Sequence, residues 1–205
     1  MTRRFAILAA LLLLTAQTAP PITPPTPSPP PKPALVTVRL TTTLGPIVIA
    51  LEKERAPVTT ANFLRYVDAR RYDGIAFYRA MNVSWGGGLI QAGIRDPRKL
   101  FPPIKHEPTN LTGVTHVEGA ISMARNAPGS ATSDFSIMVG DGMSGLDANV
   151  IPGDPGFAAF GHVVEGMDVV KKIMAAPTSK TLGAGVMKGQ MLSPTVTIVT
   201  ARRVP

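Results

Sequence analysis

The sequence predicts a mainly β domain, a barrel or sandwich with two helices against it, and three observations carry that expectation. Apolar and polar residues alternate in two neighbouring stretches, Val36, Val38 and Leu40, then Ile47, Ile49 and Leu51, the period of half-buried strands. Short apolar runs separated by glycine fill the middle of the chain: IAFYRAM, GLIQAG, GAISMA, SDFSIMVG and GFAAFGHVV. Each is too short for an ordinary helix, and their spacing suits strands joined by long connections. The last run, TVTIVTA, returns to alternation and is expected beside the first strand.

The N-terminal elements come first in chain order. Residues 1–19 join a basic pair, Arg3 and Arg4, to an apolar run from Phe5 to Leu14 and a small polar end, the pattern of a secretory signal peptide. Ten apolar residues fall short of the ~20 that a bilayer-crossing helix needs. Cleavage after Ala16 or Ala19 and retention as an uncleaved anchor both remain open. Residues 20–33 hold nine prolines and favour an extended polyproline II spacer. The domain proper is expected over residues 34–205.

Within it, the first two strands form a hairpin with its turn signal at Gly45–Pro46. Pro57 suits the first turn of a helix, and Val58, Ala61, Leu64 or Phe63, and Val67 recur behind it at helical spacing. A second helix is expected over 166–176, with Met167, Val170, Ile173 and Met174 on one face. The segment 178–191, TSKTLGAGVMKGQM, has neither pattern and gives no functional signal, and a flexible excursion is expected.

Composition excludes several chemistries. No cysteine occurs, which removes disulfides, thiol nucleophiles and thiolate metal sites. The formal charge of +8 falls to +5 once Arg3, Arg4 and Lys32 are set aside, without Lys/Arg blocks or interleaved aromatics, so no nucleic-acid partner is expected. The histidines His106, His116 and His162 lack metal-ligand spacing. No serine sits in a nucleophile elbow; Ser144, in GMSGL, comes closest. The glycines Gly86–Gly88 precede no phosphate-loop lysine. What remains is catalysis without cofactor, metal or covalent intermediate, or no catalysis.

Several phrases, in order, resemble the cyclophilin family of peptidyl-prolyl cis–trans isomerases, especially its bacterial periplasmic branch: VRLTTTLGPIVIALEKERAPVTTANFLRYVDARRYDGIAFYRAM, LIQAG, PPIKHEPTN, GAISMAR, SATSDFSI and FAAFGHVVEGMDVVKKI. The resemblance implies a closed eight-stranded antiparallel β-barrel capped by two α-helices. It also implies a catalyst of X–Pro isomerisation acting on unfolded or extended polypeptides, and the chain is expected to act as a monomer. By resemblance Arg79, in FYR, is the catalytic cation and Gln91, in LIQAG, its brace. Ala124 and Arg125, in SMAR, match the strand that holds the peptide, and Leu89, Leu146 and Phe157 match the proline pocket.

The chain departs from the family at that pocket. Where members read SQFF it reads SDFS, so Ser136 replaces the aromatic floor and Asp134 replaces a neutral amide. Strand alternation turns Asp134 and Ser136 toward the site and Phe135 into the core. Asp134 is expected to pair with Arg79 or Arg125. Gly88 stands where an aromatic is usual, and Trp85 either swings in to replace the ring or caps its own loop. Two readings follow: an isomerase with altered proline recognition in the periplasm, or a cyclophilin-fold peptide-binding module or chaperone with little turnover.

Overall fold

The computed structural model describes residues 34–205, so the expected export signal and proline-rich spacer lie outside the described residues. Strand alternation is realised from the start. β1 (Leu35–Thr42) and β2 (Gly45–Glu52) pair antiparallel, with Val38, Leu40, Ile47, Ile49 and Leu51 fully buried. The hairpin turns at Thr43–Leu44, one step before the expected Gly45–Pro46. The cause is Thr42, whose hydroxyl donates to the Gly45 carbonyl at 2.6 Å and accepts from the Leu44 N–H at 3.1 Å.

The remaining strands are β3 (Ala76–Asn82), β4 (Gly88–Gly93), β5 (Ala120–Met123), β6 (Phe135–Val139), β7 (Ala158–Glu165), β8 (Thr178–Ser179) and β9 (Met191–Arg203). Their order is β1-β2-β7-β5-β6-β4-β3-β9, and β9 pairs back onto β1, which closes an eight-stranded antiparallel barrel; two-residue β8 hangs on β9. The terminal run thus joins the first strand, as its alternation predicts. Closure removes the exposed edges of an open sheet.

Two helices complete the core. α1 (Pro57–Asp68) packs over β2, β7 and β9, and α3 (Met167–Met174) over β2, β3, β4 and β6; α2 (Thr109–Thr112) is a single turn. α1 has no capping side chain of its own at Ala56. Its N-terminus is held instead by the buried Glu107, whose carboxylate accepts from the Val58 and Thr59 N–H groups at 3.1 and 2.7 Å and from the Thr59 hydroxyl at 2.7 Å.

That anchoring delivers Phe63 into an aromatic cluster, with ring centroids 5.0 Å from Tyr72, 5.2 Å from Phe135 and 5.5 Å from Phe160. Edge-on and tilted rings at these distances attract beyond simple burial. Phe135 therefore anchors β6 from inside, and its neighbours Asp134 and Ser136 face out.

Candidate active site

Alternation on four adjacent strands, β3, β4, β6 and β5, sends every second side chain to the barrel's outer face. There Arg79 stands directly opposite Gln91, Gln91 opposite Ser136, and Ser136 opposite Ser122. The residues between them, Phe77, Ile90, Phe135 and Ile121, are fully buried on the core side. A cavity of about 580 Å³ opens over this row. The nine residues that the resemblance places at the site line it: Arg79, Gln91, Leu89, Ala124, Arg125, Asp134, Ser136, Leu146 and Phe157, whereas Gly88 and Trp85 do not.

Arg79 owes its aim to a bulge. Phe77 pairs with Ala92 and Arg79 with Gln91, so Tyr78 is an extra residue in β3. Tyr78 and Arg79 consequently both reach the cavity while Phe77 packs inside. The half-buried guanidinium donates through Nη1 to Gln91 Oε1 at 2.9 Å and through Nε to Gln190 Oε1 at 2.8 Å. Nη2 lies 3.2 Å from the Met81 sulfur, a weak acceptor. Burial lowers the Arg79 pKa from its ordinary value, against a smaller opposing effect of Tyr78. An arginine stays charged under such a shift.

Asp134 does not meet either expected partner. Its carboxylate accepts from the Tyr78 hydroxyl at 2.7 Å and from Ser133 Oγ at 3.3 Å, and lies 3.6 Å from Arg95 Nη1. The bulge explains the difference, because it places the Tyr78 hydroxyl over β6 ahead of Arg79. The Arg95 guanidinium in turn lies 4.6 Å above the Tyr78 ring. Burial raises the Asp134 pKa, opposed by the Tyr78 hydrogen bond, then by Arg95 and Ser133. Burial also pushes the Tyr78 phenol well up, helped by the adjacent carboxylate. Gly93 makes room for this arrangement, since a Cβ there would overlap the Asp134 carboxylate.

Arg125 is likewise committed elsewhere: its Nε and Nη2 donate to the Gly156 carbonyl, and it lies 4.7 Å over the Phe157 ring. It therefore stiffens the Phe157 wall. Trp85 is 74% exposed and its indole N–H donates to Gly142 O at 2.9 Å, so it ties its loop to the loop carrying Gly142 and does not replace the missing ring. Gly88 has no side-chain space, because a Cβ would strike the Met81 carbonyl and the Met174 methyl.

Beneath the row, buried His116 contacts Asp147 through Nδ1 at 2.6 Å and Ser122 Oγ through Nε2 at 2.8 Å. Asp147 also accepts the His116 backbone N–H at 3.1 Å. Burial lowers the His116 pKa from 6.5, against the smaller raising effect of Asp147. Bonded to Asp147 on one side and Ser122 on the other, the ring pins the segment that carries Leu146 to the groove floor. Among the described residues no cluster of three His, Asp or Glu could hold a metal.

Sequence reasoning missed Gln190, Met187 and Met191, all at the cavity or on Arg79. They lie in or beside the segment expected to be a flexible excursion. Short-range hydrogen bonds order that segment instead: Gly189 N–H to Leu182 O at 3.0 Å, Lys188 N–H to Gly185 O at 3.2 Å, and Gln190 N–H to Met187 O at 3.1 Å.

A cationic donor held over an apolar groove suits a reaction that redistributes charge without breaking a bond. Residues 37–203 match the family model described as cyclophilin type peptidyl-prolyl cis-trans isomerase/CLD. The chain belongs to the cyclophilin family. A peptidyl-prolyl cis-trans isomerase of Acinetobacter baylyi is 39% identical over 144 residues, covering 69% of this chain and 73% of that one. Peptidyl-prolyl cis-trans isomerase B of Escherichia coli is 36% identical over 143 residues, covering 67% and 83%. A crystal structure of a Cryptosporidium parvum cyclophilin superposes with a TM-score of 0.67 at 18% identity, covering 84% of this chain and 99% of that one, a likeness of fold. This cyclophilin is accordingly a peptidyl-prolyl cis–trans isomerase.

Proposed function

We propose that this isomerase turns X–Pro bonds in unfolded or extended exported polypeptides, working in the periplasm as a monomer carried beyond its export signal by the proline-rich spacer. The basic-apolar-small pattern of residues 1–19 and the nine prolines of 20–33 support the location.

The chemistry starts from the substrate. Rotation about X–Pro breaks amide resonance across a barrier of ~18–20 kcal/mol, and the twisted amide returns a lone pair to the prolyl nitrogen. A donor aimed at that nitrogen binds the twisted state better than either planar form, which is what lowers a barrier. Arg79 fits this role because glutamines hold its Nε and Nη1, leaving Nη2, among the described residues, hydrogen-bonded only to the weakly accepting Met81 sulfur. Leu89, Leu146, Phe157 and Met138 supply the apolar wall for the ring. The doubly braced guanidinium over the open groove carries the reading.

A second reading has one observation in its favour: Ser136 leaves the pocket without an aromatic floor, which favours peptide holding with slow turnover. Exchange NMR on an Ala-Pro peptide with the full chain separates the two. Isomerisation above the uncatalysed rate that disappears in Arg79→Ala supports the first. Binding without rate enhancement supports the second. For location, fractionation of cells expressing the full chain should place it in the periplasm; recovery in the cytoplasm refutes that part.

A further inference from the structure

We infer that the segment Lys180–Gln190 belongs to the active site, with Gln190 as a second positioning residue for Arg79 and Met187 as the wall of a subsite for a bulky apolar side chain next to the substrate proline. The inference rests on the isomerase reading above.

Gln190 is placed by backbone. Its carbonyl accepts the Ala80 N–H at 2.9 Å, which ties it to the strand residue following Arg79. β8 pairs with the start of β9 immediately beyond it, Ser179 opposite Met191 and Thr178 opposite Leu192. The side-chain amide is then oriented at both ends. Its NH₂ donates to Val186 O at 2.8 Å, which turns the Oε1 acceptor to Arg79 Nε at 2.8 Å. The assignment is chemically forced, because an arginine offers only donors and a carbonyl only accepts.

Two braces do more than one. Gln91 alone leaves the guanidinium plane free to swing about a single hydrogen bond. Gln190 grips the Nε edge, so the plane is held at two points and its Nη2 donors stay in one direction. A catalyst that works by an aimed donor loses rate when the aim widens, even if the peptide binds as before.

The same segment shapes the groove. A turn at Gly185–Met187 places Met187 on the cavity that Met191, the partner of Arg79 across β3 and β9, also lines. Gly183 fits the turn because a Cβ would strike the Met187 carbonyl, and its φ is +95°. Leu182 and Val186 are exposed on the same segment, at 55% and 85%. An unbranched thioether adapts to differently shaped apolar side chains, which suits a subsite for Leu, Met or Phe.

The test compares full-length wild type, Gln190→Ala and Met187→Ser by exchange NMR, on Pro peptides flanked either by Ala or by Leu or Phe. Gln190→Ala should lower kcat about tenfold with KM within twofold, and the Arg79 Nε–H resonance should lose its protection from solvent exchange. Met187→Ser should raise KM several-fold for the bulky-flanked peptides only. An active wild type with unchanged kcat and unchanged Nε–H protection in Gln190→Ala overturns the positioning role. Equal KM changes for both peptide sets overturn the subsite. An inactive wild type would instead count against the isomerase reading itself.

Discussion

Ser136→Phe should convert a weakly recognising pocket into a tighter one. Position 136 sits on β6 opposite Gln91 and Ser122, facing a cavity of about 580 Å³, with Leu89, Met138, Leu146 and Phe157 around it. The serine contributes almost no apolar area to a bound proline ring. If an introduced phenyl ring and the proline together remove about 80 Å² of apolar surface from water, ~25 cal/mol per Å² gives about 2 kcal/mol. That corresponds to roughly a 30-fold fall in KM, at ~1.4 kcal/mol per factor of ten. The gain should appear in KM rather than kcat, because the ring touches proline equally in planar and twisted states. Exchange NMR on an Ala-Pro peptide at several concentrations reads both constants, and a thermal melt checks that the variant is folded. A folded Ser136→Phe protein with unchanged or higher KM would refute the pocket argument.

Other outcomes follow from the same geometry. Arg79→Ala should cut kcat/KM by about 10²–10³, the usual loss for one aimed donor, measured by the same exchange experiment. Asp134→Asn should leave kcat/KM within about threefold, because Asp134 bonds Tyr78 and not Arg79; a larger loss would mean its charge reaches the site. Phe63→Ala should lower unfolding stability by about 3–5 kcal/mol in urea titrations, since it removes the ring packed on Tyr72, Phe135 and Phe160. His116 titrates below its ordinary 6.5 in the fold, so the unfolded chain takes up the proton first. Its stability contribution should be complete above pH 6.5, decline as pH falls below it, and level off beneath the folded value. Urea midpoints across that window should show the slope, and His116→Gln should flatten it.

The outer barrel strands and both main helices were legible because each writes its own period, two for β1, β2 and β9 and about 3.6 for α1 and α3, and the middle strands showed as short apolar runs between glycines. In α1, however, the period gave the helix and not its whole buried face, since Val58 and Ala61 are exposed while Phe63 and Tyr66 are buried. The outward turn of Asp134 and Ser136 followed from the same pleat. The partner of Asp134 did not, because it depends on the bulge at Tyr78, and alternation assumes no extra residue. Gln190 was invisible for another reason. It meets Arg79 across 111 positions of chain, from a glycine-rich stretch whose order comes from short hydrogen bonds with no apolar rhythm. Glu107 at the α1 N-terminus is a similar case, 49 positions from Val58. Arg79 and Gln91 stood out only through their motif, since one arginine and one glutamine on a strand have no signature of their own.

The pleat of β6 has one more consequence. Phe135 faces inward to the helix that steadies the cylinder, and its two neighbours face outward to the peptide, so solidity and selectivity are written on opposite sides of one ribbon. Exchanges on the outer side can drift with little threat to the fold. A lineage could therefore retune which prolines it handles, ring for hydroxyl or amide for carboxylate, while the scaffold underneath stays as it was.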